Sequence, residues 1–272
     1  MCDACVIESV KSRMLSRRNL FRTAAAGAAA AATVGANMAA PALANNHGKV
    51  ADLTHELHEQ FPTFFGDQQF FKEQKFNWAE HKFNLFELRV NEHTGTHMDA
   101  PLHFSENGQS VAEVPVANLV CPLCVIDVKA KAAENADYQV TPDDIKAWTD
   151  ANGAIPDGAC VAMNSGWSAH VGSDKFRNAD AEKKMHFPGF HIEATQMLLE
   201  TGAIGMAVDT LSLDYGISPD FATHYAWLPT NRWGLECIAN LDDVPAAGAT
   251  LILGAPKHRG GSGGPARVLA MM

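Results

Sequence analysis

The chain has 272 residues and a formal net charge of −10, with 47% hydrophobic and 19% charged residues. These values describe a globular protein and exclude a disordered or collagenous chain. The acidic balance excludes a basic nucleic-acid-binding face, and six cysteines are too few for a disulfide-dense mini-scaffold.

The first 44 residues read as a leader. Ser16-Arg17-Arg18-Asn19-Leu20-Phe21-Arg22 precedes a weakly apolar Ala/Gly stretch, and Pro41-Ala42-Leu43-Ala44 supplies an A-x-A cleavage pattern. Paired arginines, a weak apolar region and small residues at the cut form a twin-arginine signal peptide. The expectation is export of a folded protein to the periplasm, with no membrane attachment after cleavage. All 12 histidines lie beyond the leader. Residues 45–272 then form one domain of ordinary core size.

Period and punctuation give the elements in chain order. A short strand starts at Lys49, and Lys82–Glu92 alternates as a strand with Phe86, Leu88 and Val90 on one side. Cys124–Lys129 is a β-branched strand. Thr141-Pro142-Asp143-Asp144 caps a helix that runs to about Ala151, before Asn152-Gly153. Ala159–Asn164 is a buried strand, Ile192–Thr201 a helix ended by Gly202, and Ala203–Thr210 and Ala249–Leu253 are strands. The glycine-rich run Arg259–Pro265 reads as a loop between elements. Strands punctuated by helices specify an α/β fold with a mixed sheet core flanked by helices.

The chemistry concentrates in His93-Thr94-Gly95-Thr96-His97-Met98-Asp99-Ala100-Pro101-Leu102-His103-Phe104. His93, His97, Asp99 and His103 are all at odd positions, so an extended chain aims them to one side. Gly95 and Pro101 disfavour a helix. A bend at Gly95-Thr96 is needed for His93 and His97 to meet on one ion. Two imidazoles and a carboxylate suit zinc, manganese or iron, with a place left for water. Pro101 is expected to separate His103 from that group, leaving it as the general acid/base; the alternative is a further ligand.

This segment resembles the H-x-G-T-H-x-D-x-P-x-H signature of the metal-dependent cyclase family, which includes bacterial kynurenine formamidase and isatin hydrolase. Asp52-Leu53-Thr54-His55, Asn164-Ser165-Gly166-Trp167, Phe187-Pro188-Gly189, Val208–Ser212 and Pro265–Val268 also fit its pattern. The resemblance implies a swivelling β/β/α fold and an amidohydrolase. Its formamidase branch implies that His224 and Glu236 help hold one or two ions, Zn²⁺ or alternatively Mn²⁺. It implies a small aromatic amide or lactam substrate and a homodimer or homotetramer. The first expectation is arylformamidase-like cleavage of a C–N amide bond. The alternatives are opening of a cyclic amide such as isatin, or a lactone, and a non-catalytic periplasmic metal- or ligand-binding protein. Phe65 and Trp167 are candidate walls for a flat aryl substrate. The family commonly has a small hydroxyl residue where this chain has His191, which reads here as a solvated helix-start residue, with a pocket residue as the alternative. Cys121 and Cys124 read as buried free thiols, with a redox pair as the alternative.

Overall fold

A computed structural model describes residues 48–272; the segment 1–44 expected to be a leader lies outside them. In chain order the strands are β1 (Val50–Asp52), β2 (Phe70–Phe76), β3 (Leu85–Val90), β4 (His97–Asp99), β5 (Val120–Asp127), β6 (Gln139–Val140), β7 (Cys160–Asn164), β8 (Gly189–Phe190), β9 (Gly205–Val208), β10 (Trp233–Glu236), β11 (Ala249–Gly254), β12 (Gly263–Pro265) and β13 (Arg267–Met271). The helices are α1 (Trp78–His81), α2 (Lys129–Glu134), α3 (Pro142–Asn152), α4 (Ile192–Leu199) and α5 (Ala222–Trp227). Among the described residues no helix is long and apolar enough to cross a membrane.

Two compact units are present. The smaller comprises Lys72–Leu88 among the described residues. Within it Asn77 caps α1 by accepting from Glu80 N at 3.0 Å, and Lys82 leaves the helix at φ +62°. Lys75 bridges Glu73 and Glu87 at 2.7 and 3.1 Å. The expected strand over 82–92 forms as β3, but all its residues are exposed, Phe86 and Leu88 included. Alternation there marks no buried face.

The larger unit, residues 48–71 with Arg89–Met272 among the described residues, carries a nine-stranded mixed sheet in the order β1-β13-β11-β5-β7-β9-β10-β4-β12. Strands β5, β7, β9 and β10 run parallel; the outer pairings are antiparallel. Parallel strands are covered on both faces, which explains their continuous apolar runs. Along β5 and β7, Leu123, Val125, Cys160 and Ala162 enter one core while Cys124, Ile126, Val161 and Met163 enter another. The second core is closed by Ile145 and Trp148 of α3, Ala194 and Leu198 of α4, and Trp227 of α5. The first draws Ala51, Met98, Leu123, Ala162, Ala207, Leu235, Leu251 and Val268, one from every strand of this sheet except β12, so the sheet curls around it.

The α3 start is a capping box: Thr141 accepts from Asp144 N, and Asp144 accepts from Thr141 N. Helix α4 stops at Leu199, short of Gly202, because Thr201 turns its hydroxyl onto the Leu198 carbonyl at 2.7 Å. The glycine-rich run is a loop only in part: Gly263–Pro265 forms β12 and pairs with β4. Cys121 and Cys124 are buried free thiols, and burial pushes them up to about 12 and about 11. His191 caps α4, accepting from Glu193 N at 3.2 Å.

Candidate metal centre and active-site cleft

The site is assembled where β4 meets the end of β10. Register places Glu236 opposite His97, and the two-residue period puts Asp99 on the same face. The chain reaches β4 through a bend at Gly95, whose φ of +73° suits glycine. Asn91 Oδ1 accepts from His93 N at 2.8 Å and holds the turn before it. The expected bend is therefore present. Extended geometry covers only His97–Asp99, and Pro101–Phe104 is a 3₁₀ turn. That turn corrects the expected separation of His103: its ring stacks on His93, with centroids 3.7 Å apart and planes 21° apart. A proline at the first position starts the turn and carries the ring back over the cluster.

His224 enters from α5. Asp214 accepts from Thr223 N at 2.8 Å and His224 N at 3.2 Å, and its Oδ2 accepts from His224 Nδ1 at 2.6 Å. Glu236 Oε1 accepts from Leu213 N at 2.9 Å. The hydrogen bonds fix which nitrogens face the cluster. His97 gives Nδ1–H to the Gly95 carbonyl at 2.8 Å, and His224 gives its Nδ1–H to the Asp214 carboxylate. Both partners are acceptors, so in the neutral rings each Nε2 is a lone pair.

Those lone pairs face carboxylates. His97 Nε2 lies 3.3 Å from Asp99 and 3.4 Å from Glu236. His224 Nε2 lies 3.5 Å from Asp99 and 3.2 Å from Glu236. His93 Nδ1 lies 2.7 Å from Asp99 Oδ1. His97 Nε2 and Asp99 Oδ2 are buried without a hydrogen-bond partner. Acceptors crowded in this way need protons or a cation between them. The electrostatics express that need. Burial alone would lower the His97 pKa, but Asp99 and Glu236 outweigh it and raise it to about 10. His224 is raised well above its ordinary value: burial opposes the shift, and hydrogen bonds to Asp214, Asp99 and Glu236 drive it. Asp99 is held well below the usual carboxylate range, because its three imidazole neighbours outweigh its burial.

The donor set fits a divalent cation. Ligating atoms of His93, Asp99 and His103 lie within 4.8 Å of one another, as do those of His97, Asp99 and Glu236. Asp99 is shared, which accommodates one ion or two. Above this floor a cleft of about 330 Å³ opens, with Pro62, Phe64, Phe65, Phe104, Leu211 and Phe221 among its lining. His103 lines it too; burial lowers its pKa to about 4, so the ring is neutral at pH 7.

A family model described as putative cyclase matches residues 51–215. The chain belongs to the cyclase family. It is 35% identical over 193 residues to isatin hydrolase of Roseibium aggregatum, covering 67% of this chain and 73% of that protein. It is 29% identical over 224 residues to kynurenine formamidase of Salinibacter ruber, covering 80% and 95%. The solved structure of isatin hydrolase A from Labrenzia aggregata bound to benzyl benzoate matches with a TM-score of 0.78 at 36% identity, covering 85% of this chain and 96% of that chain. The cyclase-like mixed α/β architecture expected from the sequence is the one observed.

In this cyclase-family chain His93, His97, Asp99, His103, His224 and Glu236 all come together. Phe65 stands at the cleft, 73% exposed. Trp167 does not, and its expected role as a cleft wall is corrected. It is only 4% exposed, gives its indole N–H to the Phe176 carbonyl at 2.9 Å, and packs in a separate core with Phe61 and Phe176. The turn after left-handed Gly166 directs it inward. Sequence reasoning missed Asp214, which lies eight residues before α5 and gives no local capping signal although the fold brings its carboxylate to Thr223 N, and Phe104, which follows His103 directly and packs 4.5 Å from the His224 ring.

Proposed function

We propose that this cyclase-family protein is a metal-dependent hydrolase that cleaves the C–N bond of an aromatic amide, with opening of a cyclic amide such as isatin as the leading reaction. The observation that carries this reading is the convergence of the buried Nε2 atoms of His97 and His224 on Asp99 and Glu236 beneath an aromatic cleft. His93, His97, Asp99, His224 and Glu236 would hold the ion, with Zn²⁺ or Mn²⁺ suited to these donors. When bound, a divalent ion polarises a carbonyl and makes water acidic enough to attack near neutral pH.

The chain's own groups supply the remaining steps. Phe64, Phe65, Phe104 and Phe221 seat a flat aryl ring and exclude water. Asp214 keeps His224 in one tautomer, and the Gly95 carbonyl does the same for His97. Among the described residues no hydrogen bond engages the His103 ring nitrogens, and the ring lines the cleft beside the cluster. As a neutral base it takes a proton from the attacking water and returns it to the departing nitrogen. In a lactam the ring opens and both product groups stay on one molecule. In an arylformamide the same steps release formate and an aryl amine. This second reading is favoured by the formamidase relative and its coverage.

The twin-arginine leader read from the sequence supports export as a folded protein to the periplasm, and the family resemblance supports a homo-oligomer. The test is a comparison of kcat/KM for isatin, N-formylkynurenine and a simple aryl lactone on metal-supplemented protein. The leading reaction requires isatin to be turned over best. Preference for N-formylkynurenine establishes the second reading, and turnover of none of the three refutes both.

A further inference from the structure

His93 differs from the other two imidazoles at the site. His97 and His224 turn Nδ1 outward to acceptors and Nε2 inward. His93 turns Nδ1 toward Asp99 Oδ1 at 2.7 Å and Nε2 outward, 2.9 Å from Ser262 Oγ. Ser262 belongs to the glycine-rich run 259–265, which the hydrolytic steps leave without a role.

The direction of the Ser262 hydroxyl is set by Glu92. Glu92 Oε2 accepts from Ser262 Oγ at 2.5 Å and from Ser262 N at 3.1 Å, and its other oxygen is engaged by His258 Nε2. A carboxylate only accepts, so the single hydroxyl hydrogen of Ser262 is spent on it. Ser262 Oγ is left as an acceptor toward His93, which must then carry its hydrogen on Nε2. The ring packs against Gly263, where a Cβ would lie 2.3 Å from the Met98 carbonyl oxygen and 2.8 Å from His93 Cε1, so glycine is required there.

We infer that Ser262, oriented by Glu92, is a positioning residue that locks His93 in its Nε2–H tautomer and makes Nδ1 the metal-ligating nitrogen, opposite to His97 and His224. This rests on the metal-site reading above. The opposite tautomer would aim an N–H at Asp99 and remove one ligand. Outer partners that fix the tautomer of a ligating imidazole typically contribute roughly 10- to 100-fold in metal affinity.

The test uses the full mature protein loaded with Zn²⁺, which is diamagnetic, and long-range ¹H–¹⁵N spectra of its histidine rings. The inference expects His93 to show a protonated Nε2 and a zinc-bound Nδ1, with the reverse pattern at His97 and His224. In a competition titration with a chelator, Ser262→Ala should lose roughly 10- to 100-fold in Zn²⁺ affinity, and Ser262→Thr, which keeps the hydroxyl, should recover most of it. Glu92→Gln allows the amide to donate to Ser262 and reverse its hydroxyl, so it should add a population of Nδ1–H His93 in the metal-free protein. Zinc bound through His93 Nε2 in the unmutated protein, or unchanged affinity in Ser262→Ala, overturns the inference. Unmutated protein that takes up no zinc refutes the metal site itself, and the inference with it.

Discussion

Replacing Asp99 by Asn tests the centre at the residue all its parts share. Asp99 is 0% exposed and faces His93, His97 and His224 at 2.7, 3.3 and 3.5 Å. The substitution keeps shape and volume and removes one negative charge. A unit charge and a divalent ion about 3 Å apart interact by about 11 kcal/mol at an effective dielectric constant of about 20. The amide keeps a dipole and the ion recruits water, so roughly a quarter of this survives as a loss. About 2–3 kcal/mol corresponds to ~30- to 150-fold weaker binding of a divalent ion. Calorimetric titration of chelator-stripped protein with Mn²⁺ or Zn²⁺ measures it, with circular dichroism of the metal-free variant as the folding control. A folded Asp99→Asn protein that binds either ion as tightly as the unmutated chain refutes the charge argument.

His103→Ala should keep bound metal and lose amide hydrolysis by at least ~10²-fold, since the ring is assigned proton transfer; loss of metal content together with activity would make it a ligand. Burial depresses this imidazole to about 4, so the unfolded chain binds the extra proton first as pH falls. Its neutral, proton-accepting form therefore persists from neutral pH down to about 4. Its contribution to folding stability declines between the ordinary histidine range and that value. An NMR titration of the His103 ring with a midpoint in the ordinary range would contradict this. Phe65→Ala should leave stability within about 0.5 kcal/mol, because the side chain is 73% exposed, while KM for an aryl substrate rises roughly 2- to 12-fold; thermal melts and steady-state kinetics separate the two. Trp167→Ala should do the reverse, costing about 3–5 kcal/mol in denaturant unfolding with a smaller change in KM, because the indole fills the core behind the cleft and is not part of its lining.

The parts of the site legible in the sequence were those within a few residues of one another. His93, His97, Asp99 and His103 share one short segment, and Gly95 announces the bend that joins them. His224 and Glu236 carry no local signal: a histidine among aromatics and a strand-end glutamate acquire meaning only through the β4–β10 register. Trp167 misled for a related reason. A tryptophan after a glycine has no periodicity that separates a cleft wall from a core, and its hydrogen bond to Phe176 decides the matter. Alternation in 82–92 correctly marks a strand but not its environment, since the apolar side chains of β3 are exposed. The buried parallel strands β5, β7 and β9 were readable as short apolar runs, because both of their faces are covered. Strand β12 was hidden by glycines, which give little strand propensity; its place is fixed by pairing with β4.

The most direct measurement is isatin hydrolysis by chelator-stripped protein as Mn²⁺ or Zn²⁺ is returned in stoichiometric steps. A cluster that grips a catalytic ion requires the stripped protein to be inactive and the rate to climb with added ion, levelling at one or two equivalents per chain. Full activity in protein shown to be metal-free would contradict it.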